Sequence, residues 1–504
     1  MPKDAYTAED ARSTYDSVKD TPPRDLPGVN GHIPASGQDG PIAGRALWNA
    51  QYFVSRYQDR LRYIAKFNRW YEYNGKWWEP DDVRIAVRLG YDAVDALYQQ
   101  AVKESDRAKK ADFASLAKTL DDTKKIHAMV TDASTFTPIA ATPDQFDQHD
   151  WHVVAANGVI DLRTGKLLPH NPAAFHSRHL GPTSASIAYD PQATCPRFLE
   201  FLSTIFPEVD GGELVAYLRR VAGYTLTGST REQCVFFLVG DGSNGKTTFT
   251  QAISDVLGTY SGTVPPESLL ASAHDRIPND LAKLVGVRGV FTSENEQHQR
   301  LAEARIKAIT GGEPIDARFM RQDFFTYTPK FKIWLHTNYA PKLRGQDRGI
   351  RRRIRIVPFN YTILDEQKDA DFYEHVIRPE LPGILSWMVQ GALEWQRDGL
   401  REPQRVLNAA KGYFEANDLI GQFLGENVYH EEGAFLPSAT VYSAYSRWAQ
   451  QQGEPAETQA KLSREIHARF GVETTMRNGV GRGFPGLFVQ EGRGMNRDPD
   501  VESE

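Results

Sequence analysis
The chain has 504 residues, 40% of them hydrophobic and 25% charged, with a net charge of −6. That is the composition of globular domains, with room for about three of them. It excludes a whole-protein basic field, so any nucleic-acid contact must come from local patches. The two cysteines, Cys195 and Cys234, lie 39 residues apart, and neither has a Cys or His at metal-ligand spacing, which argues against a disulfide framework or a zinc ribbon. No apolar run approaches the ~20 residues that span a bilayer. The polar start, MPKDAYTAEDARSTYD, lacks a signal-peptide core. A soluble cytoplasmic protein with no membrane partner is expected.

Residues 1–45 are rich in Pro, Gly, Asp and Ser and read as a disordered leader. An N-terminal α+β region is expected over 46–192. It opens with an aromatic stretch that holds Tyr63, Phe67, Trp70, Tyr71, Tyr73, Trp77 and Trp78 around Asn74-Gly75, a hairpin signal. Those rings could stack bases or simply form a small β core. Helical periodicity follows over 80–130, then short strands broken at Asn157-Gly158 and Thr164-Gly165. Amphipathic helices near Arg197–Ile205 and Gly212–Tyr224 suggest a helical collar or linker over 193–230. From 231 to 400 buried strands alternate with helices, the pattern of an α/β domain with a parallel sheet. Residues 401–490 read as helix, helix and a β-turn-β wing, a winged-helix outline, and 491–504 as a disordered tail.

The most specific motif is Gly240, Asp241, Gly242, Ser243, Asn244, Gly245, Lys246, Thr247 and Thr248. It matches G-x-x-x-x-G-K-[ST], is entered by the apolar run CVFFLV and leads into a helix. Backbone amides of such a loop cradle phosphates, Lys246 reaches the β- and γ-phosphates, and the Thr247 hydroxyl binds Mg²⁺. ATP and Mg²⁺ are therefore the expected cofactors. Glu294 ends a short apolar strand 48 residues after Lys246 and suits a metal-orienting or water-polarising acid; Glu296 is the alternative. Asn338, at the end of Lys332–Asn338, could hold the attacking water or sense the γ-phosphate. Arg344, Arg348, Arg351, Arg352, Arg353 and Arg355 crowd the next stretch. A guanidinium supplied by a neighbouring subunit can stabilise phosphoryl transfer, and that arrangement implies a ring.

This order of motifs, with the block KAITGGEPIDARFMRQDFFTYTPKFKIWLHTNYAP and then RGIRRRIRIVPF, resembles the superfamily 3 helicase domain of phage and plasmid primase-helicases, relatives of the poxvirus primase-helicase. The upstream pieces NGVIDLRTGKLLPH, CPRFLEFLSTIFP and GYTLTG resemble the same family. The resemblance implies an AAA+-like phosphate-loop motor. Lys246 and Thr247 would be its Walker A residues, Glu294 its Walker B acid and Asn338 its sensor. One of Arg352 and Arg353 would be the arginine finger, although Arg351 stands where an aromatic residue is usual. It also implies that Gly311–Lys330 is a hairpin gripping DNA through Arg318, Arg321 and Lys330, and that the protein is a homo-hexamer moving on single-stranded or forked DNA. Relatives often carry a primase domain ahead of the helicase, but no D-x-D strand motif with a distant acid and histidine stands here. A primase or polymerase would then be a separate partner. The expected function is an ATP-dependent DNA helicase replicating a phage, plasmid or integrated element. The alternatives are an ATP-dependent origin-melting switch, or the helicase part of a primase-helicase.

Overall fold
The computed structural model describes residues 46–182, 186–207, 211–271, 279–294, 300–318, 324–343 and 347–490. The segments read as leader and tail lie outside the described residues. The fold is mixed α/β around a five-stranded parallel sheet. Two helices precede the sheet, α1 (Pro196–Ile205) and α2 (Gly211–Leu226). Strand β1 (Val235–Val239) leads into α3 (Lys246–Leu257). Then come β2 (Ser261–Thr263), β3 (Gly289–Glu294), β4 (Lys332–Thr337), β5 (Ile354–Pro358) and α4 (Leu381–Asp398). The strand order is β5-β1-β4-β3-β2. The chain leaves β1 toward the far edge and returns to its other side in β5, so β1 is where the winding reverses. In open parallel sheets ligands bind at the carboxyl ends of strands near such a reversal.

The β1 sequence Val-Phe-Phe-Leu-Val is apolar throughout because both faces of the sheet are covered. Side chains alternate across a strand. Phe236 and Leu238 join one core with Trp334 and Phe249, while Val235 and Phe237 join another with Ile333, Leu335, Ile354 and Ile356. The first core extends from Val153 to Val406 and takes in α1 and α2. The segment read as a collar or linker is thus packed into the core of the central sheet. The contact is tight at one crossing: a Cβ on Gly223 of α2 would meet the Ala392 amide nitrogen of α4 at 2.0 Å.

Two further units have their own cores. Helices Ala46–Tyr57, Ile85–Lys103, Arg107–Leu120 and Thr123–Ala133 share one. Asn74-Gly75 makes the expected hairpin turn between Arg69–Tyr73 and Trp78–Pro80. The Asn74 Oδ1 accepts from the amides of Lys76 and Trp77 at 2.9 and 3.0 Å. Its aromatic residues mostly pack inward: Trp78 and Tyr73 are buried with Phe146. The C-terminal core begins at Ile420 rather than 401, because helix Gln404–Ala416 lays Phe414 against the central sheet. Beyond it run helix Leu419–Asn427, strand Val428–Pro437, helices Ser438–Gln451 and Gln459–Phe470, and strands Thr475–Arg477 and Gly481–Val489, the strands forming one antiparallel sheet. Among the described residues no helix is long and apolar enough to cross a membrane.

A histidine cluster lies where the N-terminal region meets the sheet. The rings of His149, His152 and His176 stand 4.9–5.8 Å apart. The buried Arg288 donates to the carbonyls of His149 and Asp150 at 2.8 and 3.1 Å. Burial pushes the pKa of His176 down to about 4, against the opposing pull of Asp147 and with help from His149, His152 and Arg288. Because that lies below the ordinary value of 6.5, the folded state favours the neutral ring. Its contribution is complete above pH 6.5 and is lost as pH falls toward 4. Denaturant unfolding at stepped pH is expected to show a shallower acid loss of stability for His176→Leu than for the wild type across that window; parallel curves would contradict this.

Candidate active site
The strands of the central sheet end level at their carboxyl ends. Val239 pairs with Thr337 and with Pro358, and Glu294 pairs with Thr337. Residues 240–245 therefore leave the sheet between the ends of β4 and β5, with β3 beyond β4. The loop closes on Gly245, whose φ of +81° is left-handed and free of penalty only for glycine. A Cβ there would also meet the Phe201 ring at 2.8 Å. Gly245 caps α3 with no side-chain hydrogen bond to the first helical amides. Such uncapped amides, with the helix dipole, suit an anion. Gly245→Ala is expected to cost about 1–3 kcal/mol through backbone strain and to weaken nucleotide binding, read by denaturant unfolding and by titration with a fluorescent nucleotide.

Lys246 is 5% exposed. Its Nζ donates to the carbonyls of Gly240 and Asp241, the latter at 3.1 Å, and to the Asn244 Oδ1 at 3.0 Å. It also lies 3.5 Å from the Asn338 Oδ1. Burial holds the Lys246 ammonium below its ordinary pKa, partly offset by Asp241. Asn244 is braced in turn by donating to the Phe359 carbonyl at 3.1 Å. Thr247 is exposed at the helix start, with Thr248 half-buried behind it. Of the acids, Glu294 is the last residue of β3, in register one residue before Asn338 on the neighbouring strand. Glu296 lies outside the described residues.

The loop, Ser293, His336 and Asn338 open onto a cleft of ≈ 700 Å³. Phe201, Ile205, Phe372 and Tyr373 line it too. Sequence reading singled out neither this apolar lining nor His336. The residues of the lining come from segments about 40 and 130 positions away, so no local spacing announces them. His336 carries the one weak signal, a polar side chain in an apolar strand next to Asn338. Burial, and then the charge of Lys246, hold its pKa below the ordinary value.

The arginines separate. Arg353 precedes β5, and its carbonyl accepts from the Val235 amide at 2.8 Å. It is therefore at the amino end of the sheet, a strand length of roughly 16 Å from the loop. Arg353 is 7% exposed and donates to the Thr310 Oγ1 at 3.0 Å and the Gly349 carbonyl at 2.7 Å. Arg352 is exposed and donates to the Gln233 Oε1 at 2.8 Å. Arg355 pairs with Glu402, and Arg351 lies over the Phe414 ring. Arg344 lies outside the described residues.

Strands Ile315–Ala317 and Phe325–Tyr327 form a hairpin. Arg318 sits at its rise, 4.9 Å over the exposed Phe324 ring. Arg321 lies outside the described residues. Lys330 is not displayed as a free cation. Its Nζ pairs with Asp150 at 2.8 Å and donates to the carbonyls of Asp147 and Gln148, so it ties the hairpin base to the N-terminal region.

Residues 50–207 match the family described as D5 N terminal like, and residues 238–353 match a family of unknown function, DUF5906. A frog virus 3 protein named "Putative helicase" is 25% identical over 316 residues, 58% of this chain and 31% of that protein. An Acanthamoeba polyphaga mimivirus protein of the same description is 22% identical over 71% of this chain and 40% of its own. An African swine fever virus protein named "Putative primase" is 22% identical over 58% of this chain and 32% of its own. Each family match covers less than half of the chain, and together with these relatives they support assignment to a primase-helicase family. The chain spans between 31% and 40% of the length of these three relatives. The second match, 238–353, begins just before the loop and ends on Arg353, so it contains residues 240–248, Glu294, Asn338, Arg352 and Arg353. The first contains α1, whose Phe201 and Ile205 line the cleft. Among solved structures, the apo NrS-1 C terminal region aligns over 64% of this chain and 88% of its own at 10% identity, with a TM-score of 0.38.

Proposed function
We propose that this chain is an ATP-driven DNA helicase, an AAA+-like phosphate-loop motor working as a homo-hexameric ring on single-stranded or forked DNA. The observation that carries this reading is Lys246, buried in the loop with its Nζ on loop carbonyls and Asn338 at 3.5 Å. Charged phosphate oxygens attract an ammonium more strongly than neutral carbonyls do, so the loop fits a triphosphate. In this reading residues 240–248 cradle the phosphates, and the adenosine lies toward Phe201 and Tyr373. Thr247 and Glu294 would hold Mg²⁺, which when bound neutralises charge between the β- and γ-phosphates. Glu294 and Asn338 orient the attacking water.

Arg352 and Arg353 stand far from their own loop, which suits action on a neighbour's nucleotide. A group that must reach another subunit has to be exposed, and this favours Arg352. The hairpin, with Arg318 and Arg321, gives hydrolysis a DNA strand to act on. Lys330 serves that hairpin as an anchor. The C-terminal order of helix, strand, two helices and two strands supports a winged-helix unit that binds duplex DNA or docks a separate primase or polymerase. Host cytoplasm is the proposed compartment. Strand displacement on a forked substrate tests the reading. Hydrolysis without displacement would reject the helicase and leave the origin-melting switch.

A further inference from the structure
The aromatic N-terminal segment is only partly absorbed by its own core. Most rings turn inward, and the short turn Lys66–Arg69 sets a half-buried Phe67 at the edge of that core while leaving Lys66 and Arg69 exposed. Phe67 packs edge-on against Phe325 of the DNA hairpin at 6.0 Å, and the Lys66 Nζ lies 5.6 Å over the Phe325 ring. The two features, about 260 residues apart in sequence, thus form one continuous surface. Beside it is a cleft of ≈ 580 Å³ lined by Phe67, Arg69, Tyr71, Phe146, Arg178 and Lys283, among others.

The charge in this cleft is one-sided. Arg69 and Lys283 of the lining are exposed, as is Lys66, which precedes the lining residue Phe67 in the chain. Arg178 is fixed in the lining by donating to the carbonyls of Thr259 and Val285. Asp147 is the single acid among the described lining residues, and it accepts from the amide and hydroxyl of Ser177. Arg69 has a surface pair with Asp82 at 3.3 Å, both side chains about half or more exposed, and such a pair yields readily to a phosphate. Cations spaced around half-buried rings are what a single strand requires, with phosphates on the charges and bases on the ring faces. An apolar peptide would leave the cations unmatched.

We infer that this cleft is a second contact for single-stranded DNA, continuing the path from the hairpin onto the N-terminal sheet, with Lys66, Arg69 and Lys283 on phosphates and Phe67 against a base. It rests on the reading of the hairpin as the DNA-gripping element. The test is the affinity of the full chain for labelled oligodeoxythymidylate across a salt series. The triple variant Lys66→Ala/Arg69→Ala/Lys283→Ala is expected to flatten the slope of log affinity on log salt by about 2, from three phosphates at roughly 0.7 each. Phe67→Leu keeps an apolar contact with Phe325 and is expected to weaken binding roughly five-fold or more, with little change for an abasic oligomer. Should the triple variant unfold, Lys283→Ala alone is expected to reduce the slope by about 0.7. An unchanged slope in these variants, with a smaller slope in Arg318→Ala, overturns the cleft and leaves the hairpin reading standing. Unchanged slopes in all of them overturn both. Loss of polyglutamate binding with oligodeoxythymidylate binding intact overturns the cleft in favour of an acidic protein segment.

Discussion

Replacing Lys246 with Met is expected to lower ATP hydrolysis by roughly 10²–10³-fold, the cost of losing one preorganised donor to the reacting phosphates, while leaving the nucleotide-free protein at least as stable. The two halves of this result have one cause. Lys246 is buried, and burial lowers its pKa, so holding the ammonium in the fold costs stability at neutral pH. The sign follows from linkage: a folded pKa below the unfolded one means that the folded state binds protons less readily. The thioether carries no such penalty and has nearly the same length. Phosphate release and thermal unfolding, measured on the same preparation, check both halves. A variant that is inactive because it is unfolded would contradict the account.

The second large effect concerns the arginines. Arg352→Ala is expected to reduce hydrolysis by roughly 10³–10⁵-fold, as for an arginine finger supplied in trans. If the finger crosses a subunit boundary, inactive Arg352→Ala and inactive Lys246→Met protein mixed before assembly will regain activity. Some interfaces then pair an intact loop with an intact finger. A mixture no more active than its parts would contradict a between-subunit site. Arg353→Ala is expected to behave differently. It leaves the buried Thr310 hydroxyl oxygen without that donor, which costs about 1–3 kcal/mol, and it should lower the unfolding free energy before it touches the chemistry.

The loop was legible because everything that makes it is local: an apolar strand, glycines at fixed offsets, then Lys246 and a helix. Asn74-Gly75 was legible for the same reason, since the turn is made by its own side chain. Three features were not. Lys330 carries the charge of a DNA contact, but Asp150, 180 residues upstream, takes it up. Three consecutive arginines look alike in sequence, yet the turn Arg348–Arg351 and the start of β5 send Arg353 inward and leave Arg352 exposed. Residues 193–230 resemble a linker when read alone. They become core because α2 meets α4 at a glycine crossing that involves residue 391, far down the chain. In each case the deciding contact is between positions remote in sequence, where neither periodicity nor spacing carries information.

The central claim is that hydrolysis at this loop is coupled to movement on a single strand. Its most direct measurement is the rate of ATP hydrolysis by the full chain, in Mg²⁺, with and without single-stranded DNA. The account predicts a rate that rises on adding the strand and is lost in Lys246→Met under both conditions. A rate indifferent to DNA would contradict the motor, and full hydrolysis by Lys246→Met would contradict the site itself.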